Sequence, residues 1–248
     1  MKILATYNIK GGVGKTATAV NLSWLAAQER QRTLVWDLDP QGAASFYFRV
    51  KPKIKGGGKR LIKGKEELDE LVKGTDFPHL DLLPADFSYR HLDLVLGDTK
   101  KPVKRLQKLL EPLSAEYDLV FLDCPPSISL VSEAVFEIAD ALIVPIIPTT
   151  LSLRTLEQLC TFRDRQKLPD LRILPFFSMV DRRKNLHRRI VAELPQQHPE
   201  MLQAAIPTAS EIEQMGVHRQ PLGAFAPSRP AARAYAALWA EVQARLAG

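Results

Sequence analysis

A glycine-rich segment near the N-terminus carries the residue types that bind nucleotide phosphates. The segment KGGVGKT (10–16) follows an apolar run, KILATYN (2–8), and leads into a helical pattern. Glycines allow successive backbone N–H groups to point at one phosphate, and the N-terminal end of the following helix adds positive charge. We therefore predict a phosphate-binding loop made of Lys10, Gly11, Gly12, Val13, Gly14, Lys15, Thr16 and Ala17.

The loop departs from the usual P-loop pattern, G-x-x-x-x-G-K-[ST], at one position. Ile9 stands where the first glycine is expected, and a second lysine, Lys10, follows it. Lys15 and Thr16 have ordinary tasks, since such a lysine reaches the β- and γ-phosphates and such a threonine binds Mg²⁺. Lys10 has no such task in its own subunit. A cation beside Lys15 is explained if it compensates negative charge on the nucleotide or across a dimer interface.

Carboxylates close two further apolar runs. Asp37 and Asp39 end the run TLVWDLD (33–39), and Asp123 lies near the end of DLVFLDCP (118–125). If these runs are parallel strands, their ends face the same site as the glycine loop. We predict that Asp123 holds Mg²⁺, that Asp39 positions the attacking water, and that Asp39, Asp123 and Thr16 form the metal site. The role of Asp37 stays open.

The elements that must position these residues alternate along the chain. Apolar, β-branched runs predict strands at 2–8, 33–39, 79–85, 118–125, 141–148, 172–180 and 202–207. Helical patterns occupy 15–30, 103–116, 130–139, 151–167, 185–194 and 230–247. This alternation predicts an α/β fold with a mostly parallel, twisted sheet flanked by helices on both faces. We expect one domain spanning residues 1–248.

A basic excursion at about residues 49–66 interrupts this alternation. The segment KPKIKGGGKRLIKGK (51–65) carries seven basic and no acidic residues and few apolar ones. We expect it to be exposed and to lead into a short helix within KEELDELVKG (65–74). A loop of this length in a compact domain is usually functional or disordered. Three interpretations remain: a DNA-binding arm, a docking loop for a partner, or a disordered insertion.

Composition limits the class of protein. The chain has 248 residues, 46% of them hydrophobic and 25% charged, as in soluble globular proteins. Its two cysteines cannot form a disulfide framework, and no apolar run is long enough to cross a membrane. We expect a cytoplasmic protein. The net charge of +6 is concentrated in residues 51–65 and 182–248, which suggests a polyanionic partner.

Three segments together resemble the ParA/MinD family of ATPases. KGGVGKT (10–16) is similar to the deviant Walker A box, K-G-G-x-x-K-[ST], of that family. DLDPQGAAS (37–45) resembles its first switch, and FLDCPPSIS (121–129) resembles its Walker B box and second switch. The similarity continues through 177–194, 205–215 and 233–242. DLDPQG and DCPP are closer to the ParA/Soj partition ATPases than to MinD.

The resemblance implies a P-loop NTPase of the deviant Walker A type, with ATP and Mg²⁺ as cofactors. In that family Lys10 would reach into the partner's ATP in a homodimer. The dimer would bind double-stranded DNA nonspecifically, associate with the nucleoid and hydrolyse ATP slowly under stimulation by a ParB-like or other adaptor. Its cargo would be a plasmid, a chromosome origin or a protein assembly.

The resemblance also implies further contacts with the nucleotide. These contacts are Pro125 after the Walker B box and, around the adenine, Met179, Asp181, Pro207 and Thr208. A base site near the ends of later strands agrees with the general position of ligands in open α/β sheets. No N-K-x-D motif for guanine is present there, so ATP is favoured over GTP.

A basic surface is predicted in the C-terminal third. The candidates for DNA binding are Arg182, Arg183, Lys184, Arg188, Arg189 and Arg219. Arginines on loops and helix ends contact phosphates without reading bases, and such binding weakens steeply with salt. Aromatic residues do not alternate with these arginines, so stacking on single strands is not expected.

Three other functions share part of these features. A MinD-like, membrane-cycling regulator would end in a basic amphipathic anchor. Here residues 230–247 place Tyr235, Leu238, Val242 and Leu246 on one face, which predicts a helix packed on the core and no membrane partner.

An iron–sulfur reductase shares the deviant loop but needs two cysteines per subunit at the dimer axis. Cys124 directly follows Asp123, and Cys160 lies in a helical pattern, so both are predicted to be small core residues. An ATP-switched scaffold with little hydrolysis is the third alternative. The presence of Asp39 together with Asp123 favours hydrolysis.

Overall fold

The computed structural model describes residues 1–247, which form eight strands and twelve α-helices. The strands are Lys2–Thr6 (β1), Thr33–Asp37 (β2), Lys73–Gly74 (β3), Leu80–Leu83 (β4), Leu119–Asp123 (β5), Ala141–Ile146 (β6), Arg172–Val180 (β7) and Ala205–Pro207 (β8). The helices are Lys15–Gln28 (α1), Ala43–Tyr47 (α2), Gly57–Ile62 (α3), Leu68–Leu71 (α4), Leu92–Gly97 (α5), Pro102–Leu110 (α6), Leu130–Ile138 (α7), Thr150–Arg165 (α8), Asn185–Gln197 (α9), Ser210–His218 (α10), Leu222–Phe225 (α11) and Pro230–Ala247 (α12).

The strands belong to one sheet in the order β3-β4-β2-β5-β1-β6-β7-β8. Every neighbouring pair is parallel except β3 and β4. Parallel strands need long crossover connections, which the helices provide, and their carboxyl ends meet at one edge of the sheet. The α/β prediction is confirmed. The loop after β1 therefore lies between the ends of β5 and β6, where the chain order of the strands changes.

Helices cover both faces of the sheet because each face presents a continuous apolar surface. One hydrophobic core packs the sheet against α3, α5, α6, α7 and α8. The other core packs it against α1, α2, α10, α11 and α12. A smaller cluster holds α9 against β7 through Phe177, Ile190 and Leu194. Helices on both faces are the expected cover for strands that are buried on both sides.

The last helix, α12, packs on the core as the sequence predicts. Tyr235, Leu238 and Val242 are buried, and Leu246 packs against the same cluster. The Trp239 indole donates to Glu29 at 3.2 Å, which joins α12 to the end of α1. Within residues 1–247, no helix combines the length and apolar character that crossing a bilayer requires.

The basic excursion is more ordered in its packing than the sequence suggests. Its few apolar residues, Ile54, Leu61 and Ile62, are buried, and α3 packs against α5 and α6. The short helix expected within 65–74 is present as α4, followed by the edge strand β3. The basic residues of the segment are exposed, as expected, whereas its three apolar side chains are buried and anchor it to the core.

Element boundaries differ from the prediction where proline or short strands intervene. The predicted helix 103–116 divides into α6 and a 3₁₀ turn, Glu111–Ala115. Pro112 cannot donate the backbone hydrogen bond that would continue the α-helix. The strand predicted at 202–207 shortens to β8, and the short elements α2, α5, α10 and α11 have too few residues to show a clear periodicity.

Candidate functional site

Three neighbouring strands end in polar residues that lie side by side. In the register of the sheet, Asp123 of β5 is opposite Asp37 of β2 on one side and Thr6 of β1 on the other. All three residues are buried, and the Thr6 hydroxyl donates to Oδ1 of Asp123 at 3.2 Å. The structure thus gathers two carboxylates and a hydroxyl in one row at the carboxyl edge.

The glycine loop joins β1 to α1 directly beside this row. Gly12 and Gly14 have φ values of 69° and 97°, a conformation that strains any residue with a Cβ. A Cβ placed on Gly11 or Gly12 would meet nothing within 4 Å, so the space over the loop is open. The first N–H groups of α1 have no helical partner and border this space. The arrangement fits a phosphate group.

Lys15 occupies the inner side of the loop. It is only 7% exposed, and its Nζ donates to the backbone carbonyl of Lys10 at 3.2 Å. Burial lowers the pKa of Lys15, while Asp123 and Asp39 oppose this effect by stabilising the ammonium form. A buried cation that is held mainly by a carbonyl and by nearby carboxylates can bind an anionic ligand.

Lys10 lies on the outer side of the same loop and is exposed. Its backbone N–H donates to Oδ1 of Asn8 at 2.9 Å, and Asn8 donates to the carbonyl of Pro145 at 2.8 Å. Within the described part of the chain, the Lys10 ammonium has no hydrogen-bond or salt-bridge partner. The backbone of this lysine is therefore fixed by Asn8 while its charge is available to another molecule.

The carboxylates of Asp123 and Asp37 are incompletely satisfied. Asp37 accepts two hydrogen bonds through Oδ2, from the backbone and the hydroxyl of Ser45, both at 2.8 Å. Among the described residues, Oδ1 of Asp37 and Oδ2 of Asp123 are buried without a hydrogen-bond partner. Buried acceptors without donors are costly, and carboxylate and hydroxyl oxygens are suitable ligands for Mg²⁺. The row, together with Thr16, fits a divalent cation.

Burial raises the pKa of both acids in this row. Burial raises the pKa of Asp123 to about 8, with a further contribution from Asp37, and the hydroxyls of Thr16 and Thr6 partly offset the rise. Burial likewise raises the pKa of Asp37 to about 6, against the hydrogen bonds from Ser45. Perturbed acids of this kind are typical of functional sites.

Replacement of Asp123 by asparagine should stabilise the protein in the absence of ligands. Between about pH 4 and pH 8 the folded protein keeps a proton that the unfolded chain releases, so the free energy of unfolding falls as pH rises. Asparagine cannot ionise, so the variant should melt above the parent at pH 8 and the difference should shrink towards pH 5. Each kcal/mol corresponds to about 2–4 °C at this size.

Thermal melts in EDTA, without nucleotide, would measure this effect across the pH range. Thr6→Val is a suitable comparison, since it removes a neighbour of Asp123 without removing the ionisable group. A parent protein whose melting temperature is the same at pH 5 and pH 8 would contradict the prediction.

Asp39 lies beyond the end of β2 and outside the buried row. It is partly exposed, its Oδ1 accepts the N–H of Gln41 at 2.9 Å, and its carbonyl accepts the N–H of Gly42 at 2.9 Å. This turn leads into α2, where Ser45 bonds to Asp37. The segment between Asp39 and Ser45 is thus tied to the acidic row, with Asp39 at the solvent side.

The predicted base contacts meet at the ends of β7 and β8. Thr208 donates its N–H to the carbonyl of Val180 at 3.0 Å, and Pro207 pairs with Val180 in the sheet. Met179 is 39% exposed and has a positive φ of 54°. Asp181 is bound by the guanidinium of Arg183 at 2.9 Å, so its carboxylate is already paired. The four residues are neighbours in the fold; their contact with adenine remains a prediction.

Several residues of the site were not singled out from the sequence. Ser178 lies 3.0 Å from the position of a Cβ on Gly14, which places β7 against the loop. Tyr7 donates to the carbonyl of Ser127 at 3.1 Å and so connects β1 with the segment that follows Pro125. The available signal was weak: Thr6, Asn8 and Ser178 are polar residues near the ends of otherwise apolar strands.

A cleft of about 610 Å³ lies beside the glycine loop, between α7 and α8. Tyr7, Ile9, Ile128 and Arg154 are among its lining residues. Ile128 is 62% exposed, and Leu151, one turn before Arg154 on α8, is 70% exposed. Large exposed apolar side chains next to a functional loop mark a surface that another protein can cover.

Most of the predicted DNA-binding residues are exposed near the start of α9. They are Arg182, Arg183, Lys184, Arg188 and Arg189, and we call this group the arginine cluster. His187 is buried beneath it and accepts the N–H of Asp181 through Nδ1 at 3.1 Å, which fixes the turn. Burial lowers the pKa of His187, in agreement with this acceptor role.

Arg219 is held elsewhere, at the end of α10. Its guanidinium lies 4.6 Å from the ring centre of Phe46 on α2, and its Nε donates to the carbonyl of Phe46 at 3.0 Å. Arg219 thus packs against the helix that follows Asp39, whereas the arginine cluster follows β7. The structure does not bring these two groups of basic residues together through any contact between them.

The chain is similar to proteins of known class. The family model AAA_31, an AAA domain, matches residues 1–170. The chromosome partitioning protein ParA of Myxococcus xanthus is 34% identical over 200 residues, which cover 78% of this chain and 70% of the relative. The chromosome-partitioning ATPase Soj of Thermus thermophilus is 34% identical over 98% of this chain and 96% of its own.

Among solved structures, cobyrinic acid a,c-diamide synthase from Mycobacterium smegmatis with a bound ATP analogue and magnesium has a TM-score of 0.82. It is 27% identical, with coverage of 98% of this chain and 94% of that protein. The similarity in sequence extends over nearly the full chain, and the similarity in fold includes a protein that binds both ATP analogue and metal.

Proposed function

Because this chain belongs to the ParA/Soj family of partition ATPases, we propose that two copies pair around two Mg·ATP, bind duplex DNA and position a cargo. The chain is an ATPase of the partition type. We propose that this activity proceeds as a cycle of four steps: ATP binding, pairing of two copies, DNA binding and slow hydrolysis. The observation that supports this proposal is the different placement of the two loop lysines: Lys15 is buried on the inner side of the loop, and Lys10 is exposed on its outer side.

Nucleotide binding is assigned to the glycine loop and the acidic row. The N–H groups of the loop and Lys15 would bind the β- and γ-phosphates, and Thr16, Asp123 and Asp39 would hold Mg²⁺. Mg²⁺ would neutralise phosphate charge during hydrolysis. The supporting observation is that one buried oxygen each of Asp123 and Asp37 has no hydrogen-bond partner among the described residues. A cation beside them would lower the free-energy cost of burying two carboxylates. Pro125, Met179, Asp181, Pro207 and Thr208 are the remaining assigned nucleotide contacts.

Asp39 is assigned to the attacking water. It is partly exposed, beyond the buried row, and one of its oxygens bonds to Gln41. The other oxygen remains available to orient water at the γ-phosphate. Positioning and charge stabilisation account for most of the catalysis in phosphoryl transfer, so a slow hydrolysis is expected until a partner completes the site.

Pairing is assigned to the face that carries Lys10. The backbone of Lys10 is fixed and its ammonium has no partner among the described residues. The exposed Ile128 lines the same cleft as Ile9, the residue before Lys10, and Leu151 is a further exposed apolar side chain at the start of α8. A second copy would supply a triphosphate for this cation and cover the apolar side chains. Light scattering with and without a slowly hydrolysed ATP analogue measures this pairing, and a protein that stays monomeric with the analogue would contradict it.

DNA binding is assigned to the arginine cluster, with Arg219 as a further contact. Exposed arginines at a helix start can neutralise phosphates without reading bases. The names of the relatives concern chromosome partitioning, which supports DNA as the surface on which the cargo moves. The activating partner would be a ParB-like or other adaptor with a basic segment, and the protein would associate with the nucleoid in the cytoplasm.

Replacement of both Arg188 and Arg189 by alanine should weaken DNA binding and leave basal ATPase activity unchanged. Each lost phosphate contact reduces the slope of log K against log [salt] by about 0.9. Titrations of labelled duplex at several salt concentrations, in ATP, measure both affinity and slope. Arg163→Ala with Arg165→Ala, on α8, removes the same charge elsewhere. Unchanged DNA affinity in the Arg188/Arg189 variant would place the DNA surface elsewhere.

A further inference from the structure

We propose that helices α3 and α6 form a second phosphate-binding surface for duplex DNA, separate from the arginine cluster. We call it the lysine face; it comprises the basic residues of segments 49–65 and 100–110. This inference rests on the proposed DNA binding and extends it to a surface that the partition motifs do not include. The two segments together carry thirteen basic and no acidic residues.

The lysine face is built on a fixed backbone. The N–H of Ile54 donates to Asp86 at 3.0 Å, and the N–H of Gly58 donates to the Ser88 hydroxyl at 2.7 Å. Leu61 is fully buried, so α3 has an inner apolar side and an outer charged side. The basic side chains therefore extend from an anchored helix, which lowers the conformational entropy lost when they bind a ligand.

Helix α6 contributes a second row of positive charge. Lys104 and Lys108 are exposed and four residues apart, which places them on one side of the helix, and the exposed Lys101 directly precedes it. This row extends over about 10 Å at 1.5 Å per residue. Duplex DNA presents about six phosphate charges over the same length. The dimensions of this row suit a short length of phosphate backbone.

The two helices are joined by a cation. The guanidinium of Arg105, on α6, donates to the carbonyl of Ile62 at the end of α3 and lies against Gly64. Its Nη2 is buried and has no hydrogen-bond partner among the described residues. A positive charge is thus placed between two elements that are already positive. Folding brings like charges together here, at an electrostatic cost that an anionic ligand would relieve.

The charges of the lysine face are mostly unpaired within residues 1–247. Arg60 bonds to the buried Glu66 at 2.7 Å, and Arg49 bonds to Asp76 at 3.2 Å. The nearby Asp86 carboxylate accepts the backbone N–H groups of Ile54, in the segment, and of Ser88, in the following turn. The lysines of both segments form no salt bridge in this part of the chain. Their charge is therefore available to a ligand.

The character of the surface favours phosphates over a protein partner. Segments 49–65 and 100–110 expose no large hydrophobic side chain, since Ile54, Leu61 and Leu106 are buried. Protein interfaces depend on apolar or aromatic anchors in a dry centre, whereas phosphate contacts require only cations. The exposed Phe87 and Leu94 belong to the neighbouring turn and to α5, outside the two lysine-bearing segments.

The lysine face and the arginine cluster lie near different strands of the sheet. Segment 49–65 follows β2 and the arginine cluster follows β7, and these strands are separated by β5, β1 and β6. Four strand spacings correspond to roughly 19 Å. The two surfaces share no residue, so each can be changed without altering the other.

The test is a triple variant that neutralises the lysine face: Lys59→Gln, Lys63→Gln and Lys104→Gln. All three lysines are exposed and make no side-chain hydrogen bond, so the fold and basal ATPase activity should be preserved. The matched control loses the same charge at the amino ends of the strands, in the connections that precede β2 and β7, through Arg30→Gln, Arg165→Gln and Lys167→Gln. Both proteins are titrated with two duplexes of equal length and unrelated sequence, in ATP, at several salt concentrations.

We expect the lysine-face variant to lose affinity equally for both duplexes. The slope of log K against log [salt] should fall by about 0.9 for each lost contact, hence by roughly 2–3 per protomer, while the control keeps the parental slope. A slope equal to that of the control would overturn the inference and would favour an acidic protein partner for this face. If the parent protein itself binds neither duplex, the proposed DNA binding fails along with the inference. If only the Arg188/Arg189 variant loses binding, the proposed DNA binding is retained and the lysine face is rejected as a DNA-binding surface.

Discussion

Lys15→Ala is expected to lower the affinity for ATP by roughly 100-fold or more. Lys15 is buried, and its ammonium is held by the carbonyl of Lys10 near Asp123 and Asp39. Removal of this cation leaves triphosphate oxygens without their main partner and leaves two carboxylates unbalanced. Isothermal titration with ATP and Mg²⁺, or displacement of a fluorescent nucleotide, would measure the change.

The variant must be shown to fold before the loss of binding is interpreted. Circular dichroism and a thermal melt provide this check, and Lys10→Ala provides the matched control within the same loop. Since Lys10 lies outside the pocket of its own protomer, that control should bind ATP with near-parental affinity. Normal ATP affinity in the Lys15→Ala protein would refute the assignment of the glycine loop.

Lys10→Ala is expected to abolish ATP-dependent pairing and to reduce turnover by at least about 10³-fold, the range known for cations supplied across an interface. The Lys10 side chain is exposed and has no partner among the described residues, so its removal should cost the monomer little. Multi-angle light scattering in the presence of ATP, combined with phosphate release, would measure pairing and turnover on the same sample.

Two comparisons separate the role of Lys10 from a general loss of activity. Asp39→Ala should lose turnover but keep pairing, because it removes the residue that positions water and leaves both lysines. A mixture of Lys10→Ala and Lys15→Ala proteins combines one intact pocket with one intact Lys10 across the interface. Recovery of part of the turnover in that mixture would indicate action in trans. A Lys10→Ala protein that pairs and hydrolyses ATP like the parent would remove the basis for the proposed cycle.

The sequence was most informative where residues suited to binding phosphate or metal follow a predicted strand. The glycine loop, Asp37 and Asp123 each follow an apolar run, and parallel pairing then brings them together. The sequence did not reveal that Asp37 and Asp123 are direct neighbours, because register depends on the pairing of strands 86 residues apart. Nor did it assign Asp37, whose two bonds to Ser45 depend on how α2 is placed.

Long-range contacts account for the remaining differences. Arg219 was grouped with the arginine cluster by charge alone, whereas it packs on Phe46, 173 residues away. Segment 49–65 was predicted to be exposed because glycine and lysine dominate it. Local composition does not show that Ile54, Leu61 and Ile62 are buried in the core. Polar residues such as Asn8 and Ser178 gain their importance only when β1, β6 and β7 are adjacent.

Helix α2 is a single five-residue segment with different neighbours at its two ends. Gly42 precedes it, next to the turn of Asp39, and Phe46 near its far end carries the guanidinium of Arg219. In the proposed cycle, a displacement of the Asp39 turn would pass along α2 to Phe46 and so to Arg219. The distance from one end of α2 to the other is only about 7 Å, at 1.5 Å per residue.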